Sequence, residues 1–212
     1  GGAGLIRSVV ENATVPVIET GVGNCHIYVD DDADINMAAE IVTNAKASRV
    51  SVCNACEGLL VHKDIAELGL ITIAEKLREK NVEIIGDEAV CEILPFATPA
   101  TEDDWATEYL DYKLAVRVVD SIEAAMDHIA QYSTGHSECI ITENEINARL
   151  FQTYVEANVV CWNASTRLTD GMEFGMGGEM GISTQKYPVG GPIGMLHLMQ
   201  QKYFISGNGT LR

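Results

Sequence analysis

The sequence predicts an α/β protein built on an open, mostly parallel sheet flanked by helices. Three observations lead there. Short apolar runs alternate along the chain with longer segments of helical spacing, the order expected of βαβ units. Apolar residues make up 47% of the 212 residues, enough for a sizeable core. The longest apolar runs are far too short to span a bilayer, so those side chains are expected inside the protein.

The elements follow in order. Gly4 to Asn12 (GLIRSVVEN) reads as a helix, Val15 to Ile18 as a short strand ending at Glu19, and Thr20 to Asn24 as a turn. His26 to Val29 is the next strand. The run Asp30, Asp31, Asp32, Ala33, Asp34 offers N-cap and first-turn acids for a helix to about Ala47. Gly58 to His62 is a strand, and Asp64 to Lys80 a helix with Ile65, Leu68, Ile71, Ile73 and Leu77 at helical spacing. Val82 to Ile85 is a strand. A polar loop, Pro95 to Tyr109, is long for a compact domain, as functional loops often are. Then come strand Leu114 to Val119, helix Ser121 to Tyr132, strand Glu138 to Ile141, helix Glu143 to Tyr154 and strand Asn158 to Trp162. Gly171 to Gly194 is glycine-dense and reads as ordered loop. A helix near Met195 to Gln200 and a closing strand, Tyr203 to Ile205, end the chain, with the tail expected to add onto another sheet.

Fourteen basic residues face thirty-one acidic ones, a net charge of −17. Such a surface repels phosphate backbones, which argues against nucleic acid as a partner. No membrane segment is expected. No charged-then-apolar leader opens the sequence, so a cytoplasmic location and reduced thiols are expected for its six cysteines. The opening GGAGLI, without Met, reads as the middle of a longer protein.

Two of the cysteines, Cys53 and Cys56, stand three positions apart in SVCNACEG. A structural zinc site wants four ligands, and neither a second such pair nor a ligand-spaced histidine pair is present, so no metal is expected. A thioredoxin-like pair sits at a helix start after a strand, whereas this one follows a helix and precedes a strand. A single nucleophile fits better: the connection Arg49 to Ala55 can expose the Cys53 thiol beside backbone N–H groups. The residues alone leave a buried structural cysteine equally open.

Longer blocks bear on that choice. VIETGVGNCHIYVD from Val17 to Asp30, with Ala33-Asp34, is followed by Asn44-Ala45-Lys46 and Ser51 to Glu57. A second block runs from Val119 to Ile140 and contains Ser133-Thr134-Gly135-His136-Ser137. A third joins Asn163 to Arg167 and Glu173 to Lys186. Together they resemble the gamma-glutamyl phosphate reductases, also called glutamate-5-semialdehyde dehydrogenases, of the aldehyde dehydrogenase superfamily. The resemblance covers the whole chain, with Met126 where an aliphatic residue is usual and Cys56 where a small residue such as alanine is more common.

The resemblance implies an aldehyde-dehydrogenase-like catalytic domain at 19–200, a remnant of the cofactor-binding domain at 1–18, and an oligomerisation tail at 201–212 that supplies a strand. It implies NADPH-dependent reduction of L-glutamyl 5-phosphate to L-glutamate 5-semialdehyde in proline biosynthesis, through a thioester on Cys53. The alternative is a catalytic-domain fragment that folds and oligomerises but is inactive alone, since most of the NADPH/NADP site would lie outside it. Glu19 aligns with the general base of hydrolytic relatives; it tunes the thiol, shuttles a proton, or merely ends a strand. Glu108 matches the glutamate that holds the nicotinamide ribose, the other reading being a solvated loop acid. A substrate bearing phosphate and carboxylate needs cations, and Arg49 and Arg167 stand in the matching blocks, the other reading of each being an exposed salt-bridging residue. Asn54, His136 and Ser137 complete the implied substrate-binding set; His136, with Ser137 in the Thr-Gly-His-Ser turn, either contacts substrate or simply buttresses the loop. The implied partners are a small acyl phosphate, further copies of the chain, and a functional link to glutamate 5-kinase. The glycines Gly175, Gly177, Gly178 and Gly181 lack the strand-then-helix frame of a dinucleotide fingerprint and read as backbone passing close to the catalytic loop.

Overall fold

The computed structural model describes residues 3–212. Seven strands form one sheet: β1 (Cys25–Val29), β2 (Cys56–His62), β3 (Glu83–Gly86), β4 (Thr98–Pro99), β5 (Lys113–Val119), β6 (Ser137–Ile141) and β7 (Val159–Trp162). Their order is β4-β3-β5-β2-β1-β6-β7, and every neighbouring pair is parallel. The middle strands β1, β2 and β6 are buried along their whole length, as a sheet covered on both faces requires.

Helices cover both faces. α1 (Ala3–Asn12) precedes the sheet. α2 (Ile35–Ala47), α3 (Ala66–Glu79) and α4 (Glu88–Ile93) pack on one face, where Ile27, Leu59, Val61, Val42, Ile73 and Leu77 form the larger core. α5 (Ile122–Tyr132) and α6 (Glu145–Tyr154) cover the other, with Tyr28, Leu60, Ile140 and Phe151 between them and the sheet. The helix starts follow from capping chemistry. Asp34 accepts from the Asn36 and Met37 amides at 2.8 and 3.0 Å. Asp87, Ser121 and Asn144 cap α4, α5 and α6 in the same way.

Several expectations are corrected. Val15 to Ile18 forms no strand, and Val15 and Ile18 are exposed, because no neighbouring ladder reaches this apolar run. Tyr203 to Ile205 pairs with no described strand of this chain, and its side chains are 81–94% exposed. The helix near Met195 to Gln200 is a single 3-10 turn, Met195–Leu198. α4 is an addition to the expected elements: six residues are too few to show a period, although Asp87 caps its start. The glycine-dense stretch contains a two-stranded antiparallel sheet, β8 (Glu179–Ser183) and β9 (Gly191–Gly194). Of Gly175, Gly177, Gly178 and Gly181, expected to pass close to the catalytic loop, only Gly181 packs closely, on Thr20. Gly175 and Gly177 face open space and are explained by positive φ, 70° and 78°.

Candidate active site

Open parallel sheets usually bind ligands beyond the carboxyl ends of their strands. Here the chemistry gathers at the opposite edge. The segments leading into β1 (19–24), β2 (49–55), β5 (107–112) and β6 (133–136) converge at the amino ends of the strands.

Cys53 is half-buried in the segment leading into β2. Burial is the main influence that raises its thiol pKa, and the Glu108 and Glu179 carboxylates push the same way. Its own amide and Arg167 pull it down. Cys56, three residues on, is fully buried in the larger core, its Sγ donating to the Gly58 carbonyl at 3.2 Å. The two sulfurs therefore occupy different environments. The group of ligand-type side chains found among the described residues, Asp31, His62 and Asp64, lies at the carboxyl ends of β1 and β2 and includes neither cysteine.

A connected set of hydrogen bonds fixes the backbone around Cys53. The Cys53 carbonyl accepts from Cys25 Sγ at 3.2 Å. Cys25 Sγ lies 3.6 Å from His136 Nδ1, which is 2.8 Å from Ser137 Oγ. Ser137 Oγ lies 2.8 Å from Thr169 Oγ1, a hydroxyl–hydroxyl hydrogen bond. Thr169 closes the circuit: its carbonyl accepts from Asn54 Nδ2 at 2.9 Å. Asn54 Oδ1 accepts from Arg167 Nη1, and the Asn54 carbonyl from Thr166 Oγ1 at 2.8 Å. His136 and Ser137 are fully buried, and burial lowers the His136 pKa to about 4, so the ring is neutral near pH 7. These residues lie beneath the cysteine segment and buttress it. Arg167 is half-buried and its Nε has no partner. Arg49 is exposed and makes no ion pair among the described residues.

Glu108 reaches the same place from the β5 side. Its Oε1 accepts from the Gly23 amide at 2.7 Å, leaving the second oxygen for a ligand. Glu19 is held by its amide, which donates to Gln185 Oε1 at 3.1 Å. Glu19 and Glu108 line one cleft of about 650 Å³ with Ile6, Arg7, Val22 and Thr184. The apolar side chains of Ile6, Val10, Val22 and Leu110 beside three carboxylates, those of Glu11, Glu19 and Glu108, suit a neutral ring and sugar hydroxyls, so these residues fit the nicotinamide end of the implied cofactor.

Sequence reasoning missed Gly23, Thr169, Gln185 and Cys25 as parts of this arrangement. Gly23 was visible only as a turn glycine. Thr169, Gln185 and Cys25 carry no local signal, because their roles depend on partners far away in the chain.

The sheet order and helical layers define the class. The chain superposes on an acetylating aldehyde dehydrogenase from Geobacillus thermoglucosidasius with a TM-score of 0.75, covering all of this chain and 56% of that one at 17% identity. It thus has an aldehyde-dehydrogenase-like fold. Within that class it is similar over its whole length to the gamma-glutamyl phosphate reductases. It is 59% identical over all 212 residues to the one from Moorella thermoacetica, covering 51% of that protein. The crystal structure of the Thermotoga maritima gamma-glutamyl phosphate reductase superposes with a TM-score of 0.95 at 52% identity, covering all of this chain and 51% of that one. The chain spans about half the length of the curated relatives it matches. No family model matches it.

Proposed function

We propose that the protein reduces L-glutamyl 5-phosphate to L-glutamate 5-semialdehyde and phosphate in proline biosynthesis, through a thioester on Cys53. The observation that carries this reading is the meeting of Cys53 and Glu108 at Gly23, in a chain similar throughout to enzymes of that name. The Cys53 thiolate bonds to the acyl carbon, and phosphate leaves with the electron pair of the broken C–O bond. NADPH, when bound, supplies the hydride for the thioester carbon; cleavage of the C–S bond then frees the aldehyde and restores the thiolate.

Burial disfavours the thiolate, so the proton needs an acceptor, the role we give Glu19. The Cys53 amide, which already lies against its own sulfur, is one oxyanion donor. Glu108 offers its free oxygen to the ribose. Arg167, with Arg49 at the rim, holds the anionic substrate. Asn54, His136 and Ser137 act on the substrate by fixing the cysteine segment.

A second reading, that these residues fold and associate without turnover, is favoured by the apolar side chains left exposed on α1 and at the C-terminal tail. On this view 1–18 ends a cofactor-binding domain, 19–200 is the catalytic domain and 201–212 an oligomerisation strand. The exposed Leu5, Val9 and Val10 of α1 and the exposed Tyr203 to Ile205 support that division. Among the described residues no helix is long and apolar enough to cross a membrane. We place the protein in the cytoplasm, functionally linked to glutamate 5-kinase.

The deciding experiment is peptide mapping after incubation with an acyl phosphate such as acetyl phosphate. The adduct is expected on the Cys53 peptide. An adduct confined to any other cysteine ends the reading.

A further inference from the structure

Lys46 stands in the last turn of α2 and Glu57 is the second residue of β2, so the two flank the segment that carries Cys53. Lys46 Nζ lies 2.6 Å from Glu57 Oε2, and both side chains are 0% exposed. Taking two charges out of water costs more than their attraction returns unless the geometry is tight and the remaining lone pairs are used. An apolar pair of similar volume would fill this place at least as well, so the pair calls for a role beyond filling it.

The second carboxylate oxygen indicates the role. Glu57 Oε1 accepts from the Leu110 amide at 3.2 Å. Leu110 sits at φ 53°, a conformation bulky L-residues seldom adopt unless their surroundings impose it. Leu110 is two residues past Glu108, whose carboxylate takes the Gly23 amide. Gly23 in turn lies against the Cys53 carbonyl. The contacts form a closed path from the cysteine segment through Glu57 to the Glu108 segment and back.

We propose that Lys46 and Glu57 form a positioning clasp: one carboxylate oxygen closes the Cys53 segment onto α2 while the other fixes the Glu108 segment, so that thiol and carboxylate move as one unit. The inference rests on the reading of Cys53 and Glu108 as parts of one site.

Two double variants separate the arms. Lys46→Met with Glu57→Gln removes the ion pair and keeps an acceptor for Leu110; Lys46→Met with Glu57→Leu removes both in an apolar match. In both, Cys53 alkylation by iodoacetamide, followed by peptide mapping across pH, is expected to speed up by on the order of tenfold as the loosened segment opens. Its pH midpoint is expected to fall toward that of an ordinary thiol, because burial is what raises it. Hydrogen exchange at the Leu110 amide should quicken by a similar factor only in the Leu variant, with Gln restoring protection. Folded variants in which the Cys53 midpoint and Leu110 protection both match the unmodified protein overturn the clasp. If neither variant folds, the unmodified protein decides. The Leu110 amide and the Ala55 amide, which donates to Val52 O within the cysteine segment, should open with the same denaturant dependence. Independent opening overturns the proposal. Acyl phosphate labelling of the unmodified protein is read separately: an adduct away from Cys53 fails the site, whereas an adduct on Cys53 with unaltered variants fails only the clasp.

Discussion

The carbonyl of Cys53 occupies the space a side chain on Gly23 would need: a Cβ built on Gly23 falls 1.6 Å from that oxygen and 2.7 Å from the Cys53 Cα. Backbone lies against backbone, so the strain cannot be relieved by turning a side chain. Gly23→Ala must push the cysteine segment outward or strain the lead into β1. Overpacking of this kind costs about 1–3 kcal/mol. Thermal unfolding should report a loss in that range, and the rate of acyl transfer to Cys53 should fall by more than the stability loss explains. An alanine variant with the original acyl-transfer rate would mean that the contact does not place the sulfur.

Cys53 and Cys56 give opposite expectations. Cys53→Ala removes the proposed nucleophile and should abolish acyl labelling and turnover while leaving folding intact. Cys56 fills core space, so Cys56→Ala should retain most activity and lose stability by roughly 1 kcal/mol, the scale of one removed buried group. Cys25, Cys56 and Cys139 are fully buried, and of the half-buried Cys53, Cys91 and Cys161 only Cys53 has its thiolate favoured by an amide and a guanidinium, so limiting iodoacetamide should label Cys53 first. Equal loss of activity in the two variants would favour a paired role for the cysteines.

The β-α alternation was legible because α2, α3, α5 and α6 are long enough to show a period, and α2, α5 and α6 also begin with Asp, Ser or Asn caps. Val15 to Ile18 misled because an apolar run marks a strand only where a ladder is available. α4 escaped because it has six residues. At the site, Cys53 stood out through its setting and through the family resemblance. The ring of contacts below it was not legible: Asn54 meets Thr169, and Gly23 meets Glu108, across separations of 115 and 85 residues. Nothing local in the sequence encodes those pairings.

Glu108 and Glu19 share a cleft with residues of α1, whose Leu5, Val9 and Val10 remain exposed. Each contact that holds a dinucleotide offsets part of its ordering cost. Under the proposed function Glu108→Gln should raise the KM for NADPH about tenfold, the scale of one hydrogen bond to a charged group, with kcat changed less. An unchanged KM would move the ribose contact elsewhere.

Two buried imidazoles set an acid limit on stability. Burial lowers the His136 pKa to about 4; burial, then His26 and Arg117, lower that of His128 to about 3. Below the unfolded value of about 6.5 the unfolded chain takes up protons that the folded rings refuse, so stability is lost as pH falls, until the folded values are reached. Glu57 works the other way: burial raises its pKa to about 7, against the pull of Lys46, so between about 4.5 and 7 the folded form holds the extra proton. The two trends overlap in a simple pH scan, and a difference measurement separates them. Comparing the unfolding free energy of the unmodified protein with that of His136→Asn cancels the Glu57 contribution. The advantage of the unmodified protein should shrink from pH 6.5 to 4 and then level off. The total change is expected to be on the order of 3 kcal/mol, at about 1.4 kcal/mol per pKa unit. A difference that stays flat across this window would show that His136 titrates normally and is not sealed beneath the cysteine segment.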